Sequence, residues 1–444
     1  MTLPLFVSAD PRRPIAWRRS APVQLSEFQS HVAAVVGQLP PAATAMVNLC
    51  EDRYSFLVAY AAAVSVGHTV LLPASRAEQV VADVQSGNPG SYRVDDAAVD
   101  AALKVARPGQ SLNTQIAADM TVMIGHTSGS TGQPKKFPKL WRSVSGSNAR
   151  NAAAIRAAIA ATLGDQGEAE IDRPIWLLAT VPPQHMYGME LSVLLPLAGD
   201  MAVHAGRPLF PADIAGALAE LPRPRVLVST PVHLRAIVGS TQQFPEVDVI
   251  VSATAPLDRA LAVAVTTRLG GVMLEMFGST ETCVFASRRT DREDSWHLYD
   301  GVRLQSHPEG TLVNAPWFVE PILLQDMLEP QDANRFVVRG RSSDMIEVAG
   351  KRASLSDLTR RLLAIEGVQE AVMFQPDLDA VGTIRRVAAL VVAPNLSSRQ
   401  VLEKLAPGVD SAFLPRPLII VERLPRNELG KLPRENLLKA LRRE

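Results

Sequence analysis

The chain of 444 residues has only two cysteines, Cys50 and Cys283, few aromatic residues (5%) and no excess of either charge, with 45 Lys+Arg against 45 Asp+Glu. Two thiols make neither a disulfide framework nor a thiolate metal cage, so both read as small buried side chains. A balanced charge gives no electrostatic reason to expect a nucleic-acid or anionic-membrane partner. The start, MTLPLFVSADPRR, lacks the basic start followed by a sustained apolar core that a signal peptide needs. The most membrane-like stretch, 56–74, is interrupted by Gly67 and His68 and ends in a β-branched run before Pro73. It reads as a buried helix stopped at Gly67 and followed by a short strand, not as a span. A cytoplasmic protein with no membrane or nucleic-acid partner is expected.

What is present is a globular composition, 47% hydrophobic and 20% charged, in a chain too long for one ordinary core. Apolar runs of strand length at 174–181, 225–230, 247–252 and 271–276 alternate with Ala/Leu-rich helical stretches at 149–163, 211–220 and 257–269. That alternation predicts α/β layers with much parallel sheet. From about residue 343 the units shorten. Helices are expected at 355–365, 397–405 and 433–442, and strands at 367–375, 384–393 and 416–423. The division expected is a large α/β unit, 1–342, and a small α+β unit, 343–444. Segment 74–120 carries little pattern.

The sharpest local signal is TSGSTGQPKK at 127–136, directly after the apolar TVMIG. Glycines and hydroxyls there let backbone amides approach phosphate oxygens, and Lys135 adds positive charge. It is not a Walker loop. Three more segments carry functional side chains: FGSTET at 277–282, VRGRSSDMIEVAGKR at 338–352 and LPRNELGKLPR at 424–434.

Together and in this order, the four segments resemble the adenylate-forming superfamily of acyl- and aryl-CoA synthetases, peptide-synthetase adenylation domains and luciferases. The resemblance runs over nearly the whole chain, and it implies a large N-terminal α/β domain and a small mobile C-terminal domain, with ATP and acid at their junction. It also implies that Thr127, Ser128, Gly129, Ser130, Thr131, Gly132 and Lys135 form the phosphate loop. Phe277 would stack near adenine, Thr280 would contact the α-phosphate and Glu281 would ligate Mg²⁺. Asp326, fifteen residues before Arg341, stands where the family places its ribose-binding aspartate, although Leu324-Gln325 replaces the usual Thr-Gly. Arg341 would lie nearby. Ser343 holds the hinge position, usually Asp or Lys, and Lys431 would be the catalytic lysine of adenylation.

PPQHMYG at 182–188 falls where the family lines its acyl pocket and pantetheine tunnel. His185 and Tyr187 supply no carboxylate for a substrate ammonium, which disfavours an amino acid. In VSATAPL at 251–257, Ala253 and Thr254 replace family glycines and would narrow the pocket to a short or flat acid, such as a hydroxybenzoate. The implied reaction forms an acyl- or aryl-AMP and pyrophosphate, then passes the acyl group to a thiol of coenzyme A or of a carrier protein's phosphopantetheine. No fused carrier domain is expected, which leaves a freestanding acyl carrier protein as one candidate partner. The competing readings are an amino-acid-activating protein and a non-catalytic nucleotide-binding protein.

Overall fold

In the computed structural model the described residues are 1–109, 112–127, 135–163, 173–341, 344–348, 351–376, 386–427 and 432–441, with backbone alone for Thr127, Leu163, Arg341, Met345, Glu347, Lys351 and Arg352. The chain divides into two compact units, Met1–Val302 with Asn314–Glu320, and Arg303–Val313 with Pro321–Glu444.

The first unit is layered α/β. Its larger sheet runs in the order Trp296–Leu298, Cys283–Arg288, Val272–Ser279, Val249–Ser252, Arg225–Ser229, Trp176–Ala179, Ala202–His204, Pro14–Arg18 and Ala21–Gln24. The strands from Val272–Ser279 through Pro14–Arg18 pair in parallel. They are buried along most of their length, which is why they read as continuous apolar runs. The crossover helices Pro211–Glu220 and Arg259–Leu269 turn Ile214, Leu218, Leu261 and Val265 onto a core shared with Leu227 and Ile250.

A second sheet has the order Tyr92–Val94, Ala45–Asn48, Thr69–Leu72, Thr121–Thr127 and Lys135–Leu140. The stretch expected to be a stopped helix plus strand is the buried helix Arg53–Ser65, then Gly67 at φ +85° and the strand Thr69–Leu72. The weakly patterned 74–120 contains the helices Glu78–Ser86 and Asp96–Leu103 and two three-residue strands, elements too short for a periodic signal. Among the described residues no helix is long and apolar enough to cross a membrane. Both cysteines are buried thiols.

The second unit contains the strands Asp326–Pro330 and Arg335–Arg341, then a small three-stranded sheet. In that sheet Glu370–Phe374, Ala388–Val392 and Leu418–Ile420 lie beside the helices Leu355–Leu363 and Ser398–Leu405, whose Leu358, Leu362, Val401 and Leu405 enter the core. The last helix, Arg434–Leu441, places Leu437 against Phe374 and Leu390. Compactness separates the chain near 302/303, because most of the segment 303–341 groups with the C-terminal elements. A hinge is a different property from compactness, so a functional division at 342/343 is a proposal about motion.

Candidate active site

In a parallel sheet the carboxyl ends of the strands open into crevices, and the helix amides and loop residues there are the natural ligands of substrates. In the first unit the singled-out residues lie at such ends. The strand Thr121–Thr127 runs into the phosphate-loop segment and returns as Lys135–Leu140, with Thr127 and Lys135 as register partners. Ser128, Gly129, Ser130, Thr131, Gly132 and Pro134 lie outside the described residues. Lys135 is exposed at the head of its strand.

Three motifs meet at Gly125. A Cβ placed there would lie 3.1 Å from Thr280 Cγ2 and 3.6 Å from Met186 Cε. The phosphate-loop strand, the 277–282 element and the 182–188 segment therefore come into van der Waals range of one point, and any side chain at 125 would press on the other two.

The 277–282 element is a tight antiparallel turn between Val272–Ser279 and Cys283–Arg288, with Ser279 opposite Cys283. A bulge between Phe277 and Gly278 sets up the turn, and a Cβ on Gly278 would sit 2.2 Å from the Cys283 carbonyl oxygen, so only glycine fits. Cys283 takes φ +59°, and burial pushes its thiol up to about 12. Within the turn the Ser279 and Glu281–Thr282 amides donate to the Thr282 and Ser279 hydroxyls at 3.1 to 3.3 Å. Phe277 packs edge-on to Phe285 and tilted against Trp296, with centroids 5.5 and 5.0 Å away.

Glu281 is half-buried. Among the described residues its carboxylate engages no hydrogen-bond or ion-pair partner, and no group of three or more His, Cys, Asp or Glu could hold a metal. A single unengaged carboxylate suits Mg²⁺, which is typically bound through one or two carboxylates plus substrate phosphates and water.

On the other flank, His185 caps the short helix Met186–Met189 and its carbonyl accepts from the Met189 amide at 2.7 Å. Tyr187 is buried and its hydroxyl donates to the Ser229 and Val251 carbonyls at 3.0 and 3.1 Å, bracing the ends of two strands. Burial lifts its phenol well above the usual range. That hydroxyl is not offered to a substrate. Ala253 is buried just past the strand Val249–Ser252, and Thr254 adopts φ +78°, a region a β-branched residue rarely enters. The backbone there has a conformation that glycine adopts without strain.

In the second unit Asp326 and Arg341 are register partners of an antiparallel pair, so their backbones stand side by side although fifteen residues separate them. Ser343 and Lys431 lie outside the described residues.

Several buried polar residues lie against the candidate site without a sequence motif to announce them. Glu190, Ser147, Asn148 and Asn151 form a network beneath the 279–284 turn that Lys139 also reaches, and Arg53 lies under the Ala179 and Val181 carbonyls. A lone glutamate inside the apolar run 186–198 is the one signal of them in the sequence.

The AMP-binding enzyme family matches residues 34–306, more than half of the chain. A 4-coumarate–CoA ligase of Halorhodospira halophila is 28% identical over 321 residues, 69% of this chain and 73% of that protein. A probable 2-succinylbenzoate–CoA ligase of Mycobacterium tuberculosis is 26% identical over 372 residues, covering 76% and 88%. In fold, the chain is similar to the O-succinylbenzoate coenzyme A synthetase MenE of Bacillus subtilis solved with ATP and magnesium, with TM-score 0.77, 17% identity and coverage of 99% and 100%. The chain belongs to the AMP-binding enzyme family, within the adenylate-forming superfamily that its motifs resemble, and is an AMP-forming ligase.

Proposed function

We propose that the protein activates a short or aromatic carboxylic acid, such as a hydroxybenzoate, with ATP and passes the acyl group to the pantetheine thiol of coenzyme A or of a freestanding acyl carrier protein. The observation that carries this reading is the convergence at Gly125, which sets the end of the phosphate-loop strand, Thr280 and the acid-side segment around one point. The narrowed Ala253–Thr254 segment supports a small or flat acid. The names of the two sequence relatives, which carry aromatic acids, point the same way.

In the first half-reaction a carboxylate oxygen attacks the α-phosphorus of ATP, and the bond to pyrophosphate breaks. Negative charge grows on the non-bridging and carboxyl oxygens, where fixed donors and cations act most strongly. The phosphate loop, residues 127–135, would cradle the phosphates. Thr280 would donate to the α-phosphate, Phe277 would pack on adenine, and Asp326 would accept the ribose hydroxyls with Arg341 nearby. Glu281 would hold Mg²⁺, which when bound offsets phosphate charge. The Lys431 ammonium would meet the charge that develops during adenylation. In the second half-reaction the thiol sulfur attacks the acyl carbon, AMP leaves with the bonding electrons, and the thiol proton passes to solvent. One lysine serves only the first step, so residues 343–444 are proposed to turn about Ser343 relative to 1–342 between steps. A cytoplasmic setting, where ATP and thiol acceptors are supplied, belongs to the same proposal.

Acid-dependent ATP–pyrophosphate exchange over a panel of short, aromatic, fatty and amino acids tests the reading. Exchange with short or aromatic acids is expected, and exchange with amino acids alone would overturn the substrate class. Lys431→Ala should abolish exchange and leave thiolysis of a supplied acyl-AMP largely intact. Equal loss of both half-reactions would remove domain alternation from the scheme.

A further inference from the structure

The 279–284 turn is gripped at both ends by buried groups of opposite charge. Lys139 stands on the strand Lys135–Leu140, where Lys135 and Lys136 are exposed, yet Lys139 is only 6% exposed and its Nζ donates to the backbone carbonyl of Glu281. Glu190 is 2% exposed and begins the π-helical turn Glu190–Leu194. Its carboxylate accepts from the Val284 amide at 3.1 Å, from Ser147 Oγ at 3.0 Å and from Asn151 Nδ2 at 3.3 Å. Asn151 in turn accepts from the Tyr299 hydroxyl at 3.0 Å. Burial pushes the Glu190 carboxyl up, and the Val284 amide, Ser147 and the Lys139 charge pull it back.

Removing an ammonium and a carboxylate from water is expensive, and well-packed apolar residues would hold a hairpin at least as firmly. A π-helical turn inside a helix is also a frequent mark of function. The bonds fall in a pattern. They engage the backbone of Glu281 and Val284 and, inside the turn, the hydroxyls of Ser279 and Thr282. They leave the Thr280 hydroxyl and the Glu281 carboxylate outside the network.

We infer that Lys139 and Glu190 are positioning residues that fix the 279–284 turn so that Thr280 and Glu281 are held ready for Mg·ATP. The inference rests on the nucleotide-binding reading of that turn. Lys139 fixes where the Glu281 Cα lies and Glu190 fixes the exit of the turn, so removing either group lets the two functional side chains wander.

The test compares wild type with Lys139→Met, Lys139→Arg and the nearly isosteric Glu190→Gln. Amide hydrogen exchange is read on the unliganded proteins, and Mg·ATP binding is read by calorimetry. Exchange of the 280–284 amides should quicken on the order of tenfold in Lys139→Met and Glu190→Gln, with the parallel strands unchanged. Mg·ATP affinity should fall by on the order of ten- to a hundredfold, the scale of losing one hydrogen bond to a charged group. Lys139→Arg, which keeps a charged donor, should recover most of both. Uniform quickening across the first unit, or faster local exchange with unchanged Mg·ATP affinity, overturns the inference alone. Should Lys139→Met fail to fold, Glu190→Gln decides the question by the same two measurements. A wild-type protein that binds no Mg·ATP overturns the nucleotide-binding reading, and the inference falls with it.

Discussion

The nucleotide flank and the acid flank of the proposed site are both underpinned by buried charge, but in opposite ways. Beneath the 279–284 turn a carboxylate, an ammonium and three amide or hydroxyl side chains share a network. Beneath the 179–181 segment a single guanidinium, Arg53, is wholly buried. It donates to the Ala179 and Val181 carbonyls at 2.9 and 2.7 Å and to Ser192 Oγ, and none of these acceptors is a carboxylate. Burial, with Arg207 nearby, lowers it to about 9, so it stays charged at neutral pH. One π-helical turn serves both flanks, with Glu190 facing one and Ser192 the other. The acid-side loop is tied by the Leu257 amide, at 3.2 Å, to the buried Glu275, which pairs with Arg288 at 2.7 Å, and Thr254 is left in a strained backbone conformation. The nucleotide is the same for every substrate, so a network that fixes its binding turn carries no penalty in scope.

The largest effect should come from the nucleotide flank. Glu281→Gln is expected to lower Mg·ATP-dependent exchange by about a hundredfold or more, the scale of losing one preorganised electrostatic group. Binding of a preformed acyl-adenylate should change little. Titration of exchange against Mg²⁺ decides the point, and an unchanged metal dependence would remove Glu281 as the ligand.

Arg53→Met probes the opposite flank. It leaves two buried carbonyls without a donor and should destabilise the protein by about 3 kcal/mol in urea unfolding. Acid KM should rise more than ATP KM, because the segment it supports leads into His185. Equal rises would erase the distinction between the flanks.

A smaller effect separates the two buried charges by pH. Burial raises the Glu190 carboxyl above its ordinary 4.5 in the folded state. Its contribution is therefore fully present below that value and is lost as pH rises through the raised one. The stability of wild type relative to Glu190→Gln should fall as pH rises above about 4.5. A difference constant with pH would show that the carboxyl is not perturbed.

Thr254→Gly should have the smallest effect and the opposite sign. Relief of the left-handed backbone is worth about 1 kcal/mol, offset in part by the greater chain entropy of glycine when unfolded. The urea midpoint should rise slightly, and exchange should extend to bulkier acids. An unchanged acid profile would show that Thr254 does not shape the pocket.

The regular elements are legible in the sequence where period and length agree. Residues 211–220 are the helix Pro211–Glu220, and the run 225–230 is the strand Arg225–Ser229. The helix expected at 149–163 starts earlier, at Trp141. Its first turns, WRSVSGSNARN, look like a loop because, beyond Trp141 and Val144, their buried face is polar. Ser147, Asn148 and Asn151 are inside because Glu190, Val284 and Tyr299 are there to meet them. The strands between 303 and 341 are hidden for a related reason, since exposed Arg, Gln and Glu positions break their apolar pattern.

The sequence by itself determined the family of chemistry. Phosphate, metal and ribose each demand particular side chains on short stretches of chain, and such stretches keep their signature without any fold. Only the tertiary structure decided how those stretches are held. That Lys139 meets the Glu281 carbonyl, that Tyr187 is a brace between strand ends, and that Asp326 stands opposite Arg341 in a strand pair all depend on contacts between residues far apart in the chain. A buried charge is stable only beside its partner, and the identity of the partner is a property of packing.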